Sequence, residues 1–230
     1  MDKQKIDFRL EAVKGSNATK VYLYGDIVDE RPIDWWTGEE LQGDYITPKE
    51  VRELFDSIES DNIDLHLNSY GGSVFASVSI FNYLQNLNKN ITTYNDGLCA
   101  SGASLIFMAG KERVMPKNTV LMIHRASSFA FGNCNDLRVM ADTLEKLDNS
   151  TVYETYRAHF TGDSEELLDI INTETWITAD ESLEYGLCTS VMEINSSDEG
   201  EKSTDELLNQ GRKLMLNFAN LKTKGEMKHV

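Results

Sequence analysis

Apolar positions recur along the chain with two alternating periods. Residues 20–28 (KVYLYGDIV) predict an opening strand, with Gly25 as a bulge. Residues 29–46 (DERPIDWWTGEELQGDYI) follow neither period and predict a loop. Its Trp35 and Trp36 either pin the loop to the body or form a subunit contact or substrate lip, because aromatic side chains are enriched at interfaces. Thr47-Pro48-Lys49-Glu50 carries the marks of a helix start: a Thr N-cap, Pro at the first helical position and Glu three residues after the cap. Val51, Leu54, Phe55 and Ile58 continue it with the 3.6-residue period. Residues 63–67 (IDLHL) predict a strand, Asn68 to Gly72 a turn, and Val74, Val78, Phe81 and Leu84 a second helix. Residues 91–95 predict a strand, Gly97 opens a stretch of small residues, and 102–109 predict a buried helix. The unbroken apolar run 119–123 (TVLMI) predicts a strand buried on both faces.

This β-turn-α repetition implies a parallel sheet with right-handed crossovers, an α/β fold. No proline follows Pro116, and a long helix is expected over about 135–160, with Leu137, Met140, Leu144, Leu147 and Tyr156 on one side. Thr161-Gly162 stops it. Ser164 is expected to cap a short helix through Leu167, Leu168 and Ile171. Thr178 and Glu181 form a capping box for another helix that ends at Gly186. Residues 187–194 predict a last strand. Beyond Asn195 the composition turns polar (SSDEGEKSTDE), which predicts a linker, and 205–221 form a weakly amphipathic tail.

Composition narrows the field of functions. The 230 residues include 22 basic and 38 acidic side chains, a formal net charge of −16. That balance argues against a nucleic-acid surface and against a polybasic membrane anchor. No run of about 18 apolar residues predicts a membrane span, and MDKQKIDFRLEAVKG lacks the apolar core of a secretory signal. The three cysteines, Cys99, Cys134 and Cys188, show no CxxC spacing, which fits a reducing cytoplasm and predicts neither a zinc site nor a disulfide framework.

Chemistry concentrates between residues 68 and 125. Ser101 lies in CASGAS, where a strand meets a helix, so its hydroxyl faces free helical N–H groups that favour an anion. The same position suits a plain N-cap. Ser104 has the right chemistry but falls a turn into the helix. His124 ends the strand TVLMI at the sheet edge where open α/β folds place their sites, and an imidazole there can take a serine proton. His66 lies within a strand, His159 near a helix C-terminus and His229 in the tail. Gly71-Gly72 follows a strand and opens a helix, so its N–H groups could face an oxyanion or a phosphate. It lacks the GxGxxG spacing, and no GxxxxGK[ST] occurs, so nucleotide hydrolysis is not expected. Among the acids, Glu174 and Asp169 lie near one another, and Asp180 is a first-turn helix acid.

Taken in order, IDLHLNSYGGSVFAS, GLCASGAS, VLMIH and TGDSEELLDIINTETWITADESLEYGL resemble the Clp-type serine peptidase family over residues 63–194. The resemblance implies a Clp protease/crotonase-like superhelix of β-α units with a protruding handle helix. It implies Ser101 as nucleophile, His124 as base, and the backbone N–H groups of Gly72 and Gly102 as oxyanion hole. The family's acid falls two residues before an aromatic that leads into a Ser/Thr-Ala helix start, which is Glu174 before Trp176-Ile177-Thr178-Ala179. The family usually has Asp there, and Asp169 stays open as the alternative. Tyr70 stands where the family has Pro, which leaves the backbone role of the glycines intact.

The same resemblance implies a peptidase domain over 1–195, with a head of about 17–128 and 173–195, a handle of about 129–172 that pairs subunit rings, and a tail over 196–230. It implies no metal and no organic cofactor. Partners would be further copies of the chain and a protein substrate, with no nucleic acid and no membrane. The loop 29–46, the polar tail and the Glu in place of Asp are similar to the phage branch, whose members mature heads by cutting scaffold and capsid precursors. That branch implies a bacterial host cytoplasm or a procapsid as the place of action. Three rivals stay in view: a proteolytic subunit fed by an unfoldase, a crotonase-like acyl-coenzyme A enzyme, and a catalytically silent assembly protein.

Overall fold

The computed structural model describes residues 11–12 and 18–194. The chain divides into two units, Met1–Ile194 and Asn195–Val230. The second lies outside the described residues, and with it the expected linker, the amphipathic stretch and His229. Among the described residues no helix is long and apolar enough to cross a membrane.

The fold is mixed α/β around a mostly parallel sheet. Its strands run β1 (Glu11–Ala12), β2 (Ala18–Tyr24), β5 (Asn62–Ser69), β6 (Asn90–Ala100), β7 (Glu112–Pro116) and β10 (Ser190–Met192) in that spatial order. A short pair, β3 (Asp26–Ile27) and β4 (Tyr45–Ile46), lies apart from it. In β5 the period-2 pattern has its expected effect: Ile63, Leu65 and Leu67 are buried, while Asp64, His66 and Asn68 alternate with them. Helices α1 (Pro48–Asp56) and α2 (Val74–Asn86) cross between strands and bury Val51 and Phe55, and Ala76, Ile80 and Leu84. The short helix α3 (Gly102–Phe107) is buried throughout.

β6 decides where the site lies. The strand expected over 91–95 continues through the small residues to Ala100, so it has two partners on one edge. Its first half pairs with β7, Thr92 opposite Glu112, and its second half with β8 (Val120–Ile123), Ala100 opposite Met122. The chain therefore leaves β6 at Ser101 beside the end of β8. Small side chains at Gly97, Cys99 and Ala100 allow that switch of partner. β8 pairs in turn with β9 (Thr175–Thr178), and here the expected parallel sheet gains an antiparallel neighbour. β1 and β2 are antiparallel too.

Several local expectations shift for identifiable reasons. Gly25 is a break between β2 and β3 rather than a bulge. Its φ is +125°, and a Cβ there would meet Asp44 O at 2.2 Å. β7 escapes a pattern reading because it buries Arg113. That guanidinium is satisfied without a carboxylate, donating to the carbonyls of Gly110, Gly186 and Leu187. The cap of α6 (Ser164–Asn172) is Asp163, whose side chain accepts the Glu166 N–H, and Ser164 is the first helical residue. The last strand is only the three residues of β10, after α7 (Ala179–Glu184). Trp35 and Trp36 do not pin their loop. They are 82% and 80% exposed and pack edge to face on each other at 5.3 Å.

The long helix spans α4 (Cys134–Leu147), a π-type turn (Asp148–Val152) and α5 (Tyr153–Arg157). An Asn133/Asp136 capping box starts it. α4 buries no residue, whereas Asp148, Val152, Thr155 and Tyr156 beyond it are buried.

Candidate active site

Ser101 sits at the N-cap of α3, but its side chain makes no cap hydrogen bond. Its Oγ instead lies 2.7 Å from His124 Nε2. The backbone explains why. Ser101 has φ +54° and ψ −124°, a conformation that an L-residue adopts only when its surroundings impose it. The surroundings are tight. Ser101 N–H donates to Met122 O at 2.9 Å, and Ser104 Oγ donates to Ser101 O at 2.5 Å. The chain thus enters α3 with the serine side chain turned away from the helix and toward the end of β8.

The glycine turn packs directly against this corner. A Cβ on Gly71 would meet Ala100 O at 2.6 Å and Gly102 N at 2.7 Å, and one on Gly102 would meet Ser77 Oγ at 2.2 Å. Gly71 and Gly72 have φ of +93° and +144°. Ser69 Oγ accepts the Gly71 N–H, and Gly71 O accepts the Ile27 N–H. Ser73 N–H donates to Ile27 O, so the residues on both sides of Gly72 are tied to Ile27. The Gly72 nitrogen lies 3.5 Å from the point where a Gly102 Cβ would be. The amides of Gly72 and Gly102 are therefore neighbours beside the Ser101 hydroxyl, and Gly102 opens the helix, where an N–H has no intrahelical acceptor.

A cavity of about 370 Å³ lies in front of Ser101 and His124. Gly72, Gly102, Val74, Phe75 and Leu105 line it. Met140, Leu144 and Leu147 of α4, with Val152 and Tyr156 beyond, also line it. A wall of this kind accepts an apolar side chain next to a bond presented to Ser101.

Glu174 lies on the turn between α6 and β9. Thr173 caps α6, and Glu174 follows it with φ +54°, exposed. The β8–β9 ladder pairs Ile123 with Thr175. One further step of that antiparallel register sets His124 opposite Glu174. No hydrogen bond joins the two side chains, so the structure brings Ser101, His124, Gly72 and Gly102 together and leaves Glu174 on the turn before β9, unengaged. Asp169 lies back in α6 with an exposed side chain, and Asp180 lies in the first turn of α7.

Other candidates are spent elsewhere. Ser104 is buried and bonded to Ser101 O and to Tyr156 Oη. His66 stacks between Tyr22 and Tyr94, 4.7 Å from each ring, with Nδ1 2.9 Å from the Asp96 carboxylate. His159 is partly buried, and burial, helped by the Arg113 charge, holds its pKa below the ordinary imidazole value. The buried Cys99 thiol is pushed well up by burial, and Cys188 up to about 11 for the same reason.

Asp148 is a site residue that pattern reading missed. It holds the chain just after His124, through Arg125 and Ala126. A signal existed: Leu144, Asp148 and Val152 share one face of the long helix, so an acid interrupts an apolar stripe.

Comparison with known proteins decides the family. The Clp protease family matches residues 39–195. The chain belongs to the Clp protease family. Its relatives include the ATP-dependent Clp protease proteolytic subunit of Bacteroides thetaiotaomicron, 26% identical over 186 residues that cover 76% of this chain and 80% of that protein. Proteolytic subunit 2 of Bifidobacterium longum is 27% identical over 204 residues, 80% of this chain and 98% of that protein. The Deinococcus radiodurans subunit is 29% identical over 180 residues, 77% of this chain and 88% of that protein. The family is one of serine-type peptidases, and its fold is the α/β fold described above. These relatives give the head-maturation expectation no support.

Proposed function

We propose that the chain is a serine endopeptidase that acts as the proteolytic subunit of a Clp-type protease. The carrying observation is the 2.7 Å contact between Ser101 Oγ and His124 Nε2 at a strained backbone corner flanked by two glycine amides. In the proposed step the Ser101 oxygen attacks a peptide carbonyl as its proton passes to His124 Nε2. The carbonyl oxygen gains the negative charge and accepts from Gly72 N–H and Gly102 N–H. One such donor is worth roughly 3 kcal/mol at the transition state. The tetrahedral centre collapses, the C–N bond breaks, and the imidazolium protonates the leaving amine. Water then repeats the sequence on the acyl-serine, releasing the acid and restoring the hydroxyl. Glu174 is the proposed acid that orients the imidazole, supported by the strand register that sets it opposite His124. The cavity favours substrates with an apolar side chain beside the scissile bond.

As in the Clp reading generally, we propose that copies of the chain assemble into a ring and act on proteins delivered by an ATP-driven unfoldase. The exposed α4, with Phe129 and Phe131 bare on the loop before it, supports a role in contacts between copies. Head maturation is the finer alternative and rests on Glu174, the segment 29–46 and the polar tail.

A fluorophosphonate probe tests the chemistry. Labelling should map to Ser101 and vanish in Ser101→Ala and His124→Ala. Labelling elsewhere, or none in a folded protein, would sink the assignment and favour the acyl-coenzyme A or silent readings. Protein degradation with and without an added Clp-type ATPase tests the partner. Cleavage of co-expressed capsid precursors without an ATPase would favour head maturation instead.

A further inference from the structure

The contacts that hold Ser101 and His124 together lie outside the pair. β8 ends at Ile123, and among the described residues 125–132 make no backbone-to-backbone hydrogen bond. Asp148 fixes this stretch. One of its carboxylate oxygens accepts the Ala126 N–H at 2.6 Å, and the other accepts Arg125 Nε–H at 2.7 Å. The Asp148 side chain is only 7% exposed, so water competes weakly for either bond. A carboxylate is kept in such a place only when its partners satisfy it. Asp148 also opens the π-type turn, a local widening of the helix that is frequent at functional sites.

A second contact starts about two turns beyond Asp148. Tyr156 Oη lies 2.6 Å from Ser104 Oγ, which donates onward to Ser101 O at 2.5 Å. Burial pushes the Tyr156 phenol well up, so it stays a neutral donor. One continuous helical stretch therefore bonds to the neighbours of both residues, Arg125 and Ala126 after His124 and Ser104 after Ser101. Through Asp148 it grips the chain next to His124, and through Tyr156 and Ser104 it grips the Ser101 carbonyl.

We propose that Asp148 and Tyr156 are positioning residues that together set the separation and alignment of His124 and Ser101. The proposal rests on the Ser101–His124 reading above. Neither side chain reaches the reacting atoms. Their effect is geometric, and a displacement of about 1 Å between a base and a nucleophile can lower a rate roughly 10²-fold.

The test uses the full chain and a fluorophosphonate probe, reading the rate and the extent of Ser101 labelling separately. Extent counts competent sites, and rate reads the alignment of the pair. Asp148→Ala should slow the rate on the order of 10²-fold at unchanged extent. Asp148→Asn keeps an oxygen for the Ala126 N–H and should recover most of that loss, to within roughly 10-fold of wild type. Tyr156→Phe should slow labelling about 5- to 10-fold. Combined with Asp148→Asn, it should fall short of the product of the two, because both act on one coordinate. With a short peptide ester, kcat should fall while KM holds. A merely structural role predicts a lower extent or a lower melting temperature at wild-type rate, and that result overturns the proposal. Should Asp148→Ala not fold, Asp148→Asn and Tyr156→Phe decide it, since wild-type rates in both also overturn it. An unlabelled wild type would sink the catalytic reading itself; a labelled wild type with unchanged variants sinks only the positioning.

Discussion

Two residues in the described chain hold the same unusual backbone angle, φ +54°, and they differ in nearly everything else. Ser101 is wedged between β6, β8 and the glycine turn, with its N–H, its carbonyl and its hydroxyl all bonded. Glu174 is exposed, at the first position beyond the cap of α6, where a left-handed residue commonly ends a helix. At Ser101 the strain is imposed by long-range packing, and it aims a hydroxyl at a base. At Glu174 it follows from local helix termination. An unusual φ is therefore a functional signal only when distant parts of the chain enforce it.

The largest test of that contrast is chemical. Ser101→Ala should leave a folded protein whose peptidase rate falls by about 10⁴- to 10⁶-fold, measured on a fluorogenic peptide. Full activity would remove Ser101 from its role. Next in size is the wall behind it. Gly72→Ala places a Cβ 2.0 Å from Ile27 O at φ +144°, so it should destabilise the fold by roughly 1–3 kcal/mol. It should also cost on the order of 10²-fold in rate, because the Gly72 amide must shift. Denaturant melts and kinetics on the same sample would separate the two losses.

The corresponding changes at Glu174 should be milder. Glu174→Gln should slow the peptidase by on the order of 10- to 10²-fold, less than the roughly 10⁴-fold expected for an acid bonded to its imidazole throughout. Asp169→Asn should leave the rate unchanged; a loss confined to Asp169→Asn would move the acid there. Glu174→Gly releases the left-handed strain and should raise stability by about 1 kcal/mol, a few degrees in Tm. The same exchange at Ser101 should abolish activity whatever it does to stability.

The smallest effect concerns pH. The pKa of His159 is held down in the folded state, so the unfolded chain binds the proton more readily. Its contribution to stability is therefore present above the ordinary imidazole pKa and is lost as pH falls from there toward the folded value. His159→Gln should flatten that slope in melts between neutral and mildly acid pH. An unchanged slope would assign it to other groups.

Local pattern placed Ser101 and His124 at a strand–helix junction and a strand end and Gly71-Gly72 in a turn, but it left a plain N-cap and a plain turn open. Only the resemblance to the Clp-type family singled out Ser101, His124, Gly72 and Gly102 together. β5, α1, α2 and the long helix were legible in local hydrophobic periods. β7 and β9 were not. Arg113 in β7 is buried by three carbonyls supplied by residues 110, 186 and 187, and no local pattern announces such partners. β9 owes its existence to pairing with β8.

The sequence by itself determined the α/β class, through local periods, and the Clp protease family, through the order of several short motifs over residues 63–194. Only the tertiary structure decided that β6 changes partner from β7 to β8 and so delivers Ser101 to His124. It alone showed that Glu174, on the turn before β9, makes no hydrogen bond to His124, and that Asp148 and Tyr156 of one helix bond to the neighbours of His124 and Ser101. Those arrangements depend on burial and hydrogen bonds between residues far apart in the chain, and a reading of local periods carries no term for them.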